Sequence, residues 1–167
     1  IAMEKALAEV TQPPYALAGA CDPLTKHETI KPGLMLKAYR ALTSLAAPFA
    51  PMILAWRLKR GKEEPGRRPE RYGLSSAPRP TGFLVWFHAA SVGEANAALP
   101  VIDTIAAERP DVRILLTTAT VTSARLARTR LPRGALHQYV PLDNQLFVQR
   151  FLNHWRPDLA VLVESEI

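Results

Sequence analysis

Four short apolar runs punctuate the second half of this chain, and what separates them restricts the fold more than any other feature. The runs are GFLVWFHA (82–89), VRILLTT (112–118), ALHQYV (135–140) and LAVLVES (159–165). Each has the length of a strand and is too short for a buried helix. One helix-length segment stands in each gap: EANAALPVIDTIAAER (94–109), VTSARLARTRL (121–131) and NQLFVQRFLNHW (144–155). In the first of these, Leu99, Ile102 and Ile105 or Ala106 fall on one face. Strands this apolar, joined through single helices, form a parallel sheet covered on both sides. The expected architecture is α/β, a Rossmann-like parallel sheet with helices on both faces. Pro100 is expected to kink or restart the first helix, and Asp143 to cap the third.

In open parallel sheets, ligands bind outside the carboxyl ends of the strands. Those ends carry His88–Glu94, Thr117–Thr120, Pro141–Asp143 and Glu164–Glu166, so polar and acidic residues gather where the fold places a site. The first turn, HAASVGE, lacks the G-x-G-x-x-G spacing of a dinucleotide site, and no G-x-x-x-x-G-K-[ST] occurs. Gly93 allows a ligand close to the backbone at a helix start, where free N–H groups attract anions. Ser91-Val92-Gly93-Glu94 also matches the capping box S-x-x-E, with Ser91 as N-cap. From spacing alone Glu94 is either a cap or a reactive carboxylate, and His88 either a satisfied core imidazole or a site residue. Glu164 and Glu166, two apart on an extended chain, point to the same side.

The chain has 167 residues, enough for one domain with a sizeable core. It starts on Ile1 and stops behind an apolar run, which suggests a fragment cut inside a fold. Residues 1–34, with Pro13-Pro14 and little periodicity, read as an upstream extension outside the functional unit. The net charge of +6 is confined to residues 35–79, where ten Lys and Arg face three Glu; residues 80–167 balance eight against eight. Such clustering argues for a local anionic partner. Just ahead of most of those cations, Ala41–Trp56 is a 16-residue stretch without a charge. A straight helix of that length spans about 24 Å, short of the ~30 Å hydrocarbon core, and Pro48 and Pro51 interrupt it. Residues 35–79 therefore read as a membrane-associating helix lying in or dipping into the surface, with a basic linker behind it. Arg57, Lys59, Arg60, Lys62, Arg67, Arg68 and Arg71 would meet anionic headgroups, each worth about 1 kcal/mol. The competing reading is a buried core helix with a solvated linker. Nucleic acid is not expected as a partner, because the basic segment lacks interleaved aromatics. The lone Cys21 excludes an internal disulfide and makes no metal cluster on its own.

HAASVGEANAALPVI, LLTTATVTS, PLDNQLFVQRFL and RPDLAVLVESEI resemble, in this order and spacing, the N-terminal half of the bacterial Kdo transferases. These are the 3-deoxy-D-manno-octulosonic acid transferases of lipopolysaccharide assembly. RRPERYG (67–73) is similar to the family's basic stretch ending in E-R-[YFW]-G. The likeness covers roughly Met35 to Ile167, and S-V-G-E followed downstream by E-[TS]-E is its specific part. One departure is Thr122-Ser123, where the family has T-G. The resemblance implies the N-terminal, acceptor-side domain of a GT-B glycosyltransferase, with the donor domain lying beyond Ile167. It implies inverting transfer of Kdo from CMP-Kdo to the lipid A precursor at the cytoplasmic face of the inner membrane, without cofactor or metal. It makes Glu94 the general base and Glu164 a second functional carboxylate, with Glu166 in the same motif. His88, Ser91, Gly93, Thr118 and Thr120 fall on the substrate side. Arg71, in the basic stretch, would contact the acceptor's phosphates. Two other readings stand beside it: a soluble nucleotide-sugar epimerase-like domain, and a non-catalytic membrane-surface binding module.

Overall fold

The computed structural model describes residues 34–164; the extension expected over 1–34 lies, but for Leu34, outside them, as does Glu166. From Lys37 onward the chain forms one compact unit. Helix α1 (Leu34–Ala46) leads through a 3-10 turn (Ala47–Phe49) into α2 (Ala50–Lys59), and a second 3-10 helix covers Pro65–Tyr72. The α/β portion follows as β1 (Leu84–Ala89), α3 (Val92–Glu108), β2 (Arg113–Thr118), α4 (Val121–Arg130), β3 (Leu136–Tyr139), α5 (Gln145–Trp155) and β4 (Leu159–Val163).

The strands form one parallel sheet in the order β3-β2-β1-β4. The chain steps outward from β1 to β3, then returns across the sheet to place β4 on the other side of β1. The direction of winding therefore reverses between β1 and β4, which makes their shared carboxyl end the crevice of the sheet.

Side chains alternate across β1. Leu84 and Trp86 face α5, where Leu84, Leu115, Phe151 and Trp155 make a buried cluster and the Trp86 and Phe151 rings lie 5.0 Å apart. Val85, Phe87 and Ala89 point to the opposite side, are fully buried, and are covered by α3, which packs on β1, β2, β4 and α4. Each fully buried Leu or Phe contributes about 1.5–3 kcal/mol, so these two layers hold the sheet in place.

Three expectations change. Pro100 does not divide its helix: α3 runs unbroken from Val92 to Glu108. Pro100 and Asn96 both lie on the exposed face, where water can take the carbonyl that the proline leaves unpaired. Asn144, not Asp143, caps α5; its backbone is extended and its side chain accepts from Leu146 N–H at 3.0 Å. Asp143 instead accepts from the Tyr39 hydroxyl. Finally, the basic stretch does not all face outward to meet headgroups: Pro65–Tyr72 is a 3-10 helix packed on β3 and α5, while Lys59, Arg60 and Lys62 stay exposed.

Candidate active site

The loop after β1 turns into α3 through a complete capping box. Ser91 has an extended backbone and its Oγ accepts from Glu94 N–H at 3.1 Å. The Glu94 carboxylate reaches back to accept from Ala90 N–H at 2.6 Å and Ser91 N–H at 3.3 Å, both through Oε2. Its other oxygen, Oε1, has no hydrogen bond among the described residues. Burial tends to raise the Glu94 carboxyl, but the bonds from Ser91 and Ala90, with His88 nearby, hold it below its ordinary value. It is thus ionised at neutral pH with one oxygen uncommitted. Gly93, exposed beside it, has an ordinary helical backbone; an added Cβ would meet only Ser91 Oγ at 3.8 Å.

His88 is half-buried at the end of β1, on the α5 side of the sheet, with its Nδ1 3.0 Å from Thr117 Oγ1. Burial lowers its pKa, against the attraction of Glu94, so the ring is neutral at pH 7. Its register partner on β4 is Leu162, which is 63% exposed. Glu164, two residues on in the same alternation, is exposed just past the end of β4. Neighbouring strands lie about 4.8 Å apart, so the loop carrying Glu94 and the strand end carrying Glu164 emerge side by side at the reversal of winding. Among the described residues no cluster of three His, Cys, Asp or Glu is placed to hold a metal ion.

The other expected site residues divide. Thr120 is exposed and caps α4, accepting from Ser123 N–H at 3.1 Å. The Ser123 hydroxyl also meets Thr120 Oγ1, so the Thr122-Ser123 departure is absorbed within the turn. Thr118 is fully buried, with Oγ1 2.9 Å from His137 Nε2, and cannot touch a ligand directly. Arg71 is likewise buried, contrary to its expected place on the acceptor. Its Nε donates to Glu63 at 2.9 Å, Nη1 to the Val140 carbonyl at 3.1 Å and Nη2 to the Ala119 carbonyl at 2.7 Å. An arginine so engaged positions loops and has no fork left for a phosphate.

Sequence reasoning missed the polar framework beneath the site. Arg67 pairs through two nitrogens with Glu70, at 2.7 and 2.8 Å, and Glu70 Oε2 accepts from Tyr139 N–H at 2.6 Å. Arg67 Nη2 also donates to the His137 carbonyl and to His137 Nδ1. The signal was present as Glu63 and Glu70 inside a cationic run: an acid there is a partner for a buried arginine. Trp86 was missed because an apolar strand reads as core throughout, and Thr117 was noted only as the start of a polar strand end, without a role of its own.

A model of the family described as 3-deoxy-D-manno-octulosonic-acid transferase (kdotransferase) matches residues 66–167. The chain is 42% identical over 133 residues, 80% of its length, to the 3-deoxy-D-manno-octulosonic acid transferase of Rickettsia bellii, and covers 32% of that protein. It is 32% identical over 131 residues, 75% of its length, to the Haemophilus influenzae enzyme of the same name, covering 30% of it. An Arabidopsis thaliana protein named "Probable 3-deoxy-D-manno-octulosonic acid transferase, mitochondrial" is 45% identical over 131 residues, 78% of this chain and 29% of that protein. The chain thus spans less than a third of the length of these relatives. No solved structure matches it.

Proposed function

The chain belongs to the 3-deoxy-D-manno-octulosonic acid transferase family, and from that premise we propose that it is the acceptor-binding part of an inverting Kdo transferase. The donor is CMP-Kdo and the acceptor the lipid A precursor. The observation that carries this reading is the division of labour in Glu94: Oε2 holds the turn while Oε1 is left without a partner at the crevice of the sheet. A sugar hydroxyl is a poor nucleophile, and a carboxylate within hydrogen-bond reach can take its proton as the new bond forms. The hydroxyl oxygen attacks the anomeric carbon of Kdo, the bond from that carbon to the phosphate oxygen breaks with its electron pair, and CMP departs. The proton ends on Glu94. Glu164, at the neighbouring strand end, is the second carboxylate, and Ser91 and Gly93 shape the turn that the sugar approaches. A second Rossmann-like domain facing this one, in the GT-B manner, supplies the donor site.

The acceptor is a lipid, so the domain works at the cytoplasmic face of the inner membrane. Supporting this, Leu42, Leu45, Phe49, Met52 and Trp56 are exposed on α1, α2 and the turn between them. Ala41–Lys59 is also long and apolar enough, by length and composition, to cross a membrane. The 3-10 turn at Pro48 breaks the straight helix that a crossing requires, which favours an interfacial position. Of the cations behind Trp56, Arg57, Arg67 and Arg71 are committed to internal ion pairs and Arg68 is half-buried beside the Pro51 carbonyl, leaving Lys59, Arg60 and Lys62 exposed to meet headgroups.

The test is transfer by the full-length protein from CMP-Kdo to the tetra-acylated lipid A precursor, comparing wild type with Glu94→Gln. Glutamine can still cap the helix, so the variant should fold and melt like wild type while losing about 10²-fold or more in turnover. Equal turnover in both would place the base elsewhere, beginning with Glu164. No transfer by either would leave a membrane-surface module.

A further inference from the structure

The polar contacts on the α5 side of the sheet converge on one hydroxyl. Thr117 is fully buried, and its Oγ1 lies 2.8 Å from Trp86 Nε1, 3.0 Å from His88 Nδ1 and 3.3 Å from the Phe87 carbonyl oxygen. A threonine hydroxyl has one proton and two lone pairs. The Trp86 N–H can only donate, so it takes one lone pair. The Phe87 carbonyl can only accept, so its 3.3 Å contact is a hydrogen bond only if it takes the proton. What remains is a lone pair aimed at His88 Nδ1, which is satisfied only if that nitrogen carries hydrogen. The ring is neutral, so Nε2 is then bare; the hydrogen bonds of the ring among the described residues all run to Thr117, to its hydroxyl and its backbone. We propose that Thr117 is a positioning residue that holds His88 as its Nδ1–H tautomer, so that Nε2 accepts a hydrogen bond from a hydroxyl of the acceptor sugar beside Glu94.

The assignment rests on the transferase reading for its substrate and on geometry alone for the tautomer. With Glu94 ionised and Nε2 bare, the two groups at the end of β1 are both acceptors. The crevice is then suited to a ligand that brings hydroxyl donors, two of them at neighbouring positions of a sugar ring. A histidine in the other tautomer would present an N–H to the same ring and favour a carboxylate or phosphate instead. Thr117 touches no substrate itself, and Trp86 orients Thr117 from within the core.

Two measurements on the full-length protein decide the matter. Nitrogen-15 NMR of the histidine rings reads the tautomer directly: wild type should show His88 with a protonated Nδ1 and an unprotonated Nε2, and Thr117→Val should lose that preference. In the transfer assay Thr117→Val should lower kcat/KM for the acceptor about tenfold, the scale of one hydrogen bond, mostly through KM. Thr117→Ser, which restores the hydroxyl, should recover it. In a His88→Ala background the Thr117→Val change should cost little, because the two act through one contact. A wild-type His88 protonated on Nε2, or a Thr117→Val loss that persists in full without the imidazole, would overturn the proposal. If the wild-type protein transfers no sugar at all, the transferase reading fails, and the NMR result alone decides the tautomer.

Discussion

At the scale of single residues, Glu94 caps its helix through one carboxylate oxygen and leaves the other available for the base role proposed above. The capping box consumes the N–H groups of Ala90 and Ser91 through one carboxylate oxygen, which also fixes where the other oxygen sits. Gly93 separates structural from functional need at the same turn. Its backbone is helical, and a methyl group there would touch nothing closer than Ser91 Oγ at 3.8 Å, so folding does not demand glycine. Replacing a helical glycine with alanine commonly stabilises by roughly 0.4–1 kcal/mol. Gly93→Ala should therefore melt at or slightly above the wild-type temperature while transfer falls, because the methyl would occupy the space through which the proposed acceptor sugar approaches. Calorimetry and the transfer assay, run on the same preparation, check both halves; undiminished transfer would mean that no substrate approaches this turn.

Among the elements, the 3-10 helix Pro65–Tyr72 has the largest consequence for its size. β3 is an edge strand, and an open edge leaves backbone groups unpaired and prone to add foreign strands. Here Arg67 donates to the His137 carbonyl, Glu70 accepts from Tyr139 N–H and Arg71 donates to the Val140 carbonyl, so charged side chains take the place of a further strand. Gly73 closes this element against α5. Its φ is +76° and a Cβ there would lie 2.0 Å from the Phe147 carbonyl oxygen. Gly73→Ala should destabilise by roughly 3 kcal/mol or more, read as a lowered denaturation midpoint, in contrast to the mild outcome at Gly93. The half-buried ring of His137 adds a pH signature. Burial, reinforced by Arg67, Arg128 and Arg71, lowers its pKa from 6.5 to about 3. A depressed value means that the neutral folded form is fully favoured above pH 6.5 and that stability is lost as the pH falls from there toward about 3. The slope is at most about 1.4 kcal/mol per pH unit for one proton. Between pH 6.5 and 5, above most carboxylate titrations, wild type should lose stability more steeply than His137→Gln in denaturant melts. Parallel slopes would show that the ring is not held neutral.

For the molecule as a whole, the apolar surface of α1 and α2 has to be reconciled with a folded α/β unit. Leu54 and Ala50 are buried, so α2 is anchored to the body of the domain on one side while Met52, Ile53 and Trp56 remain exposed on the other. That two-sidedness suits a helix lying at a membrane surface with its domain beside it. Replacing Ile53 and Trp56 by serine in the full-length protein should sharply reduce co-sedimentation with vesicles containing anionic lipid, without lowering the melting temperature. Raised salt should weaken wild-type binding, through screening of Lys59, Arg60 and Lys62. Vesicle binding unchanged by both treatments would remove the interfacial role of this face.

How much of this could be read beforehand follows from the range of the forces involved. Period and length in the apolar runs determined the order of strands and helices, the parallel sheet and the strand ends that gather His88, Glu94 and Glu164, because those depend on neighbours within a few residues. S-x-x-E likewise determined the cap at Ser91, a bond across one turn. The fates of Arg71, Thr118 and His137 were not legible, nor was the role of Thr117. Their partners are far away in sequence: Arg71 reaches Ala119 and Val140, and Thr118 meets His137 only because β2 and β3 pair in one register. A cationic run looks the same whether it faces lipid or fills an edge, and only the tertiary fold, by burying Glu63 and Glu70 beneath it, decided which of its arginines were left for a partner.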